Sequence, residues 1–263
     1  MIRFKLKIVV AGIWIIGSIT SCKEERKTPA SAAPLPTTTS RIADSIALAK
    51  KEELEAVRLL QEKEAKRLAK QKVQRTALDT LPVTTFVNLE ELSDDFMYEL
   101  KYATKDNFLK QSVYDCPKCY VRVPTAKALL KANAVFLKVG RKIKFFDCYR
   151  PHSVQKKMWK IFPNPHYLAR PTKGSIHNKG GAVDITLTDL KGNELDMGTG
   201  FDHFGKEAHH AYTNLSDTVL ENRKLLRETM KKHGFWTIRT EWWHYNYRGA
   251  SKNALADFKW ECE

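Results

Sequence analysis

Two short strings of this chain, far apart in sequence, carry a donor set that must meet in space. Ser175, His177, Gly180 and Asp184 lie in one stretch; Glu241 and His244 lie well downstream. Two imidazoles and one carboxylate fill three corners of a tetrahedron and leave the fourth for water, as in a catalytic zinc site. A fold that honours this set must bring the loop at His177, the strand after it and the segment ending at His244 side by side.

Local patterns indicate how. Gly180 and Gly181 let the backbone bend after His177 without steric cost, and Gly181 to Leu187 reads as a buried strand that carries Asp184. Glu241 and His244 sit three apart in a strand-like segment, where a regular pleat would point them to opposite faces. The strand must therefore bulge, twist or end between them. Zinc held by His177, Asp184 and His244 would bring bound water toward neutrality, and Glu241 would take its proton as general base. Arg150, at a strand end and followed by Pro151, is the candidate partner for the developing oxyanion; on local evidence alone it would be a surface arginine paired with Asp147. Trp242 and Trp243 suit either a core or a sugar-stacking surface. Together the strings read as a metal-dependent hydrolase.

The N-terminus gives an address. Arg3, Lys5 and Lys7 precede an apolar run from Ile8 to Ile16 that is too short for a stable membrane span, so residues 1–21 read as a signal peptide. The ending Ile19, Thr20, Ser21, Cys22 resembles the lipobox of bacterial lipoproteins, with Cys22 as the lipidated residue. The expectation is an exported protein held to a bacterial membrane by acyl chains and facing the periplasm or cell envelope. The net charge of +15 is spread along the chain, without the basic, aromatic-interleaved stripe that nucleic-acid binding needs. It suits an anionic surface such as headgroups or cell wall.

Residues 22–40 are rich in Pro, Ser, Thr and Ala and read as a flexible linker; residues 41–77 lack Gly and Pro and favour a charged helical spacer. Ile42, Ile46, Leu54, Val57, Leu60 and Leu68 form only a loose stripe, short of a heptad. Residues 82–263 make a domain of ordinary size. Within it, strands are expected over Met97–Tyr102, Lys142–Tyr149, Gly181–Leu187 and Trp236–Tyr247, and helices over Pro124–Val139, Ser153–Phe162 and Asn214–Lys232. The class is α+β: an antiparallel sheet core with helices packed on one side, preceded by the signal peptide and helical tether.

Five strings, Lys101-Tyr-Ala-Thr-Lys-Asp-Asn-Phe108, Asp147-Cys-Tyr-Arg-Pro151, Ser175-Ile-His-Asn-Lys-Gly-Gly-Ala-Val-Asp184, Met197-Gly-Thr-Gly-Phe-Asp202 and Glu241-Trp-Trp-His-Tyr245, resemble the zinc D-alanyl-D-alanine dipeptidases (VanX type). The His/Asp and Glu/His strings are shared with the wider zinc D,D-carboxypeptidases. The resemblance implies one Zn2+ per chain on His177, Asp184 and His244, Glu241 as general base and acid, and Arg150 as transition-state stabiliser. It further implies Asp202 near the substrate ammonium, Ser175 near its carboxylate and Tyr102 lining the pocket. It implies hydrolysis of the D-Ala-D-Ala dipeptide in cell-wall peptide turnover. The alternatives are a D,D-carboxypeptidase or peptidoglycan endopeptidase acting on stem peptides, and a non-catalytic wall-binding lipoprotein.

Beyond Cys22 four cysteines remain, Cys116, Cys119, Cys148 and Cys262. In an oxidising compartment they suggest two disulfides, with three possible connectivities. A structural zinc on Cys116 and Cys119 lacks a second ligand pair of matching spacing. The expected pairing is Cys119 with Cys148, bracing the strand that leads to Arg150, which leaves Cys116 with Cys262.

Overall fold

The computed structural model describes residues 38–262. The expected signal peptide, the lipidation residue Cys22 and the linker up to residue 37 lie outside the described residues. The first described element is a 40-residue helix, α1 (Thr38–Ala77), over the segment read as a spacer. The chain divides into two compact units, residues 1–58 and 59–263, with the division inside α1. In the first unit Ile46, Leu48, Leu54 and Val57 are exposed. In the second unit the closing turns of α1 dock on the domain. Arg67 pairs with Asp94 at 2.8 Å, Arg75 donates to the Leu92 carbonyl at 3.3 Å, and Leu78 joins the main core. Composition alone put the domain boundary at residue 82, because this part of the helix is as charged as the rest.

After β1 (Phe86–Asn88) and a short helix α2 (Leu89–Leu92, capped by Asn88) come β2 (Met97–Tyr98), β3 (Tyr120–Arg122), helix α3 (Val123–Lys138) and β4 (Arg141–Asp147). Helix α4 (His152–Ile161), β5 (Ala182–Asp189), helix α5 (Asp217–Lys232), β6 (Phe235–Thr237) and β7 (His244–Tyr247) complete the domain. Five strands form one sheet in the order β2-β4-β5-β7-β6, while β1 and β3 form a separate antiparallel pair. The large sheet is antiparallel except at its edge, where β2 runs parallel to β4.

Strand β5 shows how one face becomes core and the other a site. Side chains alternate along a strand. Val183, Ile185 and Leu187 therefore share a face, and they pack with Leu129 and Phe136 of α3 and with Leu226 and Met230 of α5. Ala182, Asp184, Thr186 and Thr188 take the opposite face, equally buried. Register aligns Asp184 with His244 on β7 and, past a bulge between Phe145 and Asp147, with Asp147 on β4. Three polar side chains thus lie abreast on the face away from α3 and α5.

Three expectations need correction. The segment Met97–Tyr102 is not one strand: pairing stops at Tyr98, and Lys101–Ala103 forms a 3-10 turn that buries Tyr102. Trp236–Tyr247 is two paired strands, not one, with Glu241 in the connection between them. The helices also do not all pack on one side. Leu89 and Leu92 of α2 join α3 and α5 in the main core, whereas Met158 of α4 packs in a second cluster with Tyr102, Leu109, Val113 and Tyr114.

Two disulfides fasten the site end of the sheet. Cys119 bonds Cys148 and Cys116 bonds Cys262, with Cα separations of 5.3 and 5.9 Å. The second draws the C-terminal segment in, so that Trp260 stacks on Tyr120 and Phe258 on Phe86.

Candidate active site

His177 opens a 3-10 turn (His177–Lys179) that ends at Gly180, whose φ of 70° lies in the left-handed region glycine favours. A Cβ on the next residue, Gly181, would collide with Ala250, so the backbone there lies against its neighbour without room for a side chain. This turn leads directly into β5 and Asp184. Because β7 begins only at His244, Glu241 is freed from the pleat and can face the same cavity as the histidine three residues later.

Donor atoms of His177, Asp184 and His244 all lie within 4.8 Å of one another. His177 Nε2 is 3.2 Å from His244 Nδ1 and 3.4 Å from Asp184 Oδ2, and His244 Nδ1 is 2.9 Å from Asp184 Oδ1. A neutral imidazole has one N–H. His177 spends its proton by donating from Nδ1 to the Cys148 carbonyl at 2.7 Å, and His244 donates from Nε2 to Asn246 Oδ1 at 3.0 Å. The inward atoms are then lone pairs facing lone pairs, an arrangement that a cation resolves and that suits a metal-ligating histidine pair. Charge points the same way. Burial opposes ionisation of Asp184, but the two histidines outweigh it and hold its carboxyl well below the usual range. Burial also opposes charge on His244, yet Asp184 and Glu241 raise its pKa. The donor set, its outer hydrogen bonds and its appetite for positive charge all fit one divalent zinc.

These residues line a cavity of about 240 Å³ together with Glu241, Arg150, Ser175, Tyr102 and Asp202, so all eight expected site residues meet in one place. Burial pushes the Glu241 carboxyl above its ordinary value, with His244 pulling it back and Asp184 adding to the rise. Asp202 sits with φ 59°, in the left-handed region, and accepts from the buried Tyr102 hydroxyl at 3.0 Å. Burial, then Asp184 and Glu241, push its carboxyl well up. Ser175 accepts from the His177 N–H through Oγ at 3.2 Å, which leaves its O–H to donate elsewhere.

Arg150 pairs with Asp147 and lines the cavity at once, so the pairing does not make it a surface residue. Its Nη2 and Nε donate to Asp147 Oδ2 at 2.6 and 3.2 Å, and Nη1 donates to Gln155 Oε1 at 2.9 Å. Burial works against its charge, and Asp147 more than restores it. Tyr114 donates to the other Asp147 oxygen at 2.7 Å, and Asn178 donates to the Arg150 carbonyl at 2.8 Å.

Sequence reasoning did not single out Tyr114, Gln155, Asn178 or Asn246, nor His166, Tyr167 and Phe204 on the cavity wall. The position of Asn246 two residues after His244 on a strand was the one signal available, since i and i+2 share a face. Trp242 and Trp243 are both core residues, and Trp242 donates to Thr199 Oγ1 at 2.8 Å instead of offering a stacking surface.

The family described as D-ala-D-ala dipeptidase matches residues 83–259. The D-alanyl-D-alanine dipeptidase of Escherichia coli (strain K12) is 36% identical over 175 residues, covering 66% of this chain and 91% of the relative. Those of Enterococcus faecalis (strain ATCC 700802 / V583) and Enterococcus faecium are 32% and 31% identical over 181 and 197 residues, covering 61% and 66% of this chain and 90% and 96% of the relatives. From residue 83 to residue 259 this chain belongs to the D-ala-D-ala dipeptidase family of metallopeptidases.

Proposed function

We propose that this protein hydrolyses the dipeptide D-Ala-D-Ala to free D-alanine in a zinc-dependent reaction, as part of cell-wall peptide turnover. The observation that carries this reading is the convergence of His177, Asp184, His244, Glu241 and Arg150 on one small cavity within a family matched over its peptidase domain. His177, Asp184 and His244 would hold the metal. Zinc bound there supplies a Lewis acid that activates water and polarises the scissile carbonyl.

The remaining steps belong to the chain's own side chains. Glu241, buried and raised in pKa, takes a proton from the attacking water and returns it to the leaving amine, so that water adds across the peptide bond and two amino acids depart. Arg150, fixed by Asp147 and Gln155, offers fixed positive charge to the oxyanion. Asp202, held by Tyr102, meets the substrate ammonium, and the Ser175 hydroxyl donates to its carboxylate. With an anion for one end and donors for the other, a cavity of this size favours a free dipeptide over a longer stem peptide.

Release of D-alanine from purified protein offered free D-Ala-D-Ala, and loss of that release on chelation, support this function. Cleavage confined to intact muropeptides would favour a D,D-carboxypeptidase or endopeptidase, and binding without cleavage would favour a wall-binding lipoprotein.

The setting is also our proposal: export under the residue 1–21 signal and acylation at Cys22, with residues 41–77 holding the enzyme off the membrane. There the enzyme would meet dipeptide released by wall turnover, which suits scavenging. Membrane fractionation of wild type and Cys22→Ser tests this; equal release of both into the soluble fraction would refute it.

A further inference from the structure

We propose that Asn246 is a positioning residue for the metal centre, whose amide oxygen holds the proton of His244 on Nε2 and so keeps the Nδ1 lone pair turned toward the cation. This rests on the metal-site reading given above. Asn246 is buried, and its Oδ1 lies 3.0 Å from His244 Nε2. Both residues are on β7 and, two apart, they share a face. Across the ladder His244 faces Asp184, while Asn246 faces Ala182, whose methyl group leaves room for the amide and the ring edge.

Two acceptors compete for the one proton of this imidazole. Asp184 Oδ1 lies 2.9 Å from Nδ1, and Asn246 Oδ1 lies 3.0 Å from Nε2 on the opposite edge. A carboxylate is the stronger acceptor of the two. Left alone, Asp184 would draw the proton onto Nδ1, on the side where the cation must sit, and zinc would have to displace it. The Asn246 oxygen rewards the other tautomer and clears the inward face. His177 receives the same service from the Cys148 carbonyl, which is main chain and cannot be substituted away. The Asp147 carboxylate lies farther from the same His177 nitrogen, at 3.5 Å, so removing it would leave the main-chain acceptor in place, whereas the partner of His244 is a side chain that a point mutation removes.

Zinc affinity of metal-depleted protein, measured by competition with a chromophoric chelator, tests the role without any substrate. Asn246→Leu removes the acceptor at similar volume and should weaken zinc binding about 10- to 100-fold, the usual cost of losing such an outer partner. Asn246→Asp keeps an oxygen at that place and should bind zinc at least as tightly as wild type. Thermal unfolding of the metal-free proteins reports folding separately, and if the leucine variant does not fold, the aspartate variant decides alone. A folded leucine variant with wild-type affinity, or an aspartate variant that loses affinity, overturns the proposal. Either failure leaves the dipeptidase reading intact, and inactivity of zinc-loaded wild type toward D-Ala-D-Ala would leave this proposal intact.

Discussion

The carbonyl of Cys148 accepts a hydrogen bond from Nδ1 of His177 at 2.7 Å, so a disulfide-bonded residue sets the orientation of an imidazole in the site. Cys148 directly follows β4, and its partner Cys119 directly precedes β3. The crosslink thus holds the strand end from which Asp147, Cys148 and Arg150 all serve the cavity.

Removing this crosslink should loosen both the fold and the metal. The bond closes a separation of 29 residues, for which loop closure predicts a loss of about 3 to 4 kcal/mol in the Cys119→Ala/Cys148→Ala variant. Urea unfolding measures the first effect, and zinc competition should show weaker binding in the variant. Unchanged zinc affinity in a destabilised variant would mean that the His177–Cys148 contact survives without the crosslink.

Replacing Glu241 separates chemistry from metal binding. Glu241→Gln should lower kcat on D-Ala-D-Ala by about 10³-fold, within the range for loss of a general base, while the variant still binds zinc. Turnover near the wild-type rate would remove Glu241 from its assigned role.

For Arg150 the expected split falls on kcat and not on KM. Arg150→Ala should lower kcat by about 10²- to 10³-fold, the usual cost of one oxyanion donor. Asp147→Asn should reproduce part of that loss, because the guanidinium then loses the carboxylate that holds Nη2 and Nε. Steady-state kinetics of both variants provide the check, and a rise confined to KM would contradict a transition-state role.

Asp202 should cost the metal-free protein stability as pH rises. Burial and its acidic neighbours raise its folded pKa, so the folded state holds the proton more tightly than the unfolded state. Stability is then fully present below the unfolded carboxyl pKa of about 3.9 and is lost as pH rises through the folded value. Asp202→Asn, which tolerates the left-handed backbone and keeps an acceptor for Tyr102, should stabilise the metal-free protein at neutral pH. That advantage should vanish in acid, and KM for the dipeptide should rise. Denaturant titrations at acid and neutral pH measure it, and an advantage equal at both would contradict the linkage.

How much of this could be read from residue order depends on the distance between partners. The donor set was legible because His177 and Asp184 lie within a turn and a strand, and Glu241 and His244 within three residues of each other. Helices α3 and α5 were legible as segments, and their ends agree with the structure to within a few residues. The break in the last strand was legible only through the site, because Glu241 and His244 can serve one cavity only if the strand bulges, twists or ends between them. Trp236 to Tyr247 is rich in aromatic and β-branched residues throughout, and no propensity marks Ile238 to Trp243 as lying between two strands. Nor could spacing disclose the bracing of Arg150. Tyr114 reaches Asp147 across 33 residues and Asn178 reaches the Arg150 carbonyl across 28, contacts that only tertiary packing creates. Arg150 looked like a surface ion pair locally because its partner Asp147 is near in sequence; burial of both is what makes the pair part of a site.

The most direct measurement is the metal content of purified, metal-replete protein beside its rate of D-alanine release from D-Ala-D-Ala. The account predicts zinc in one-to-one ratio with the wild-type chain, and loss of both metal and activity together in Asp184→Ala. A wild-type chain that cleaves the dipeptide while free of bound metal would contradict it.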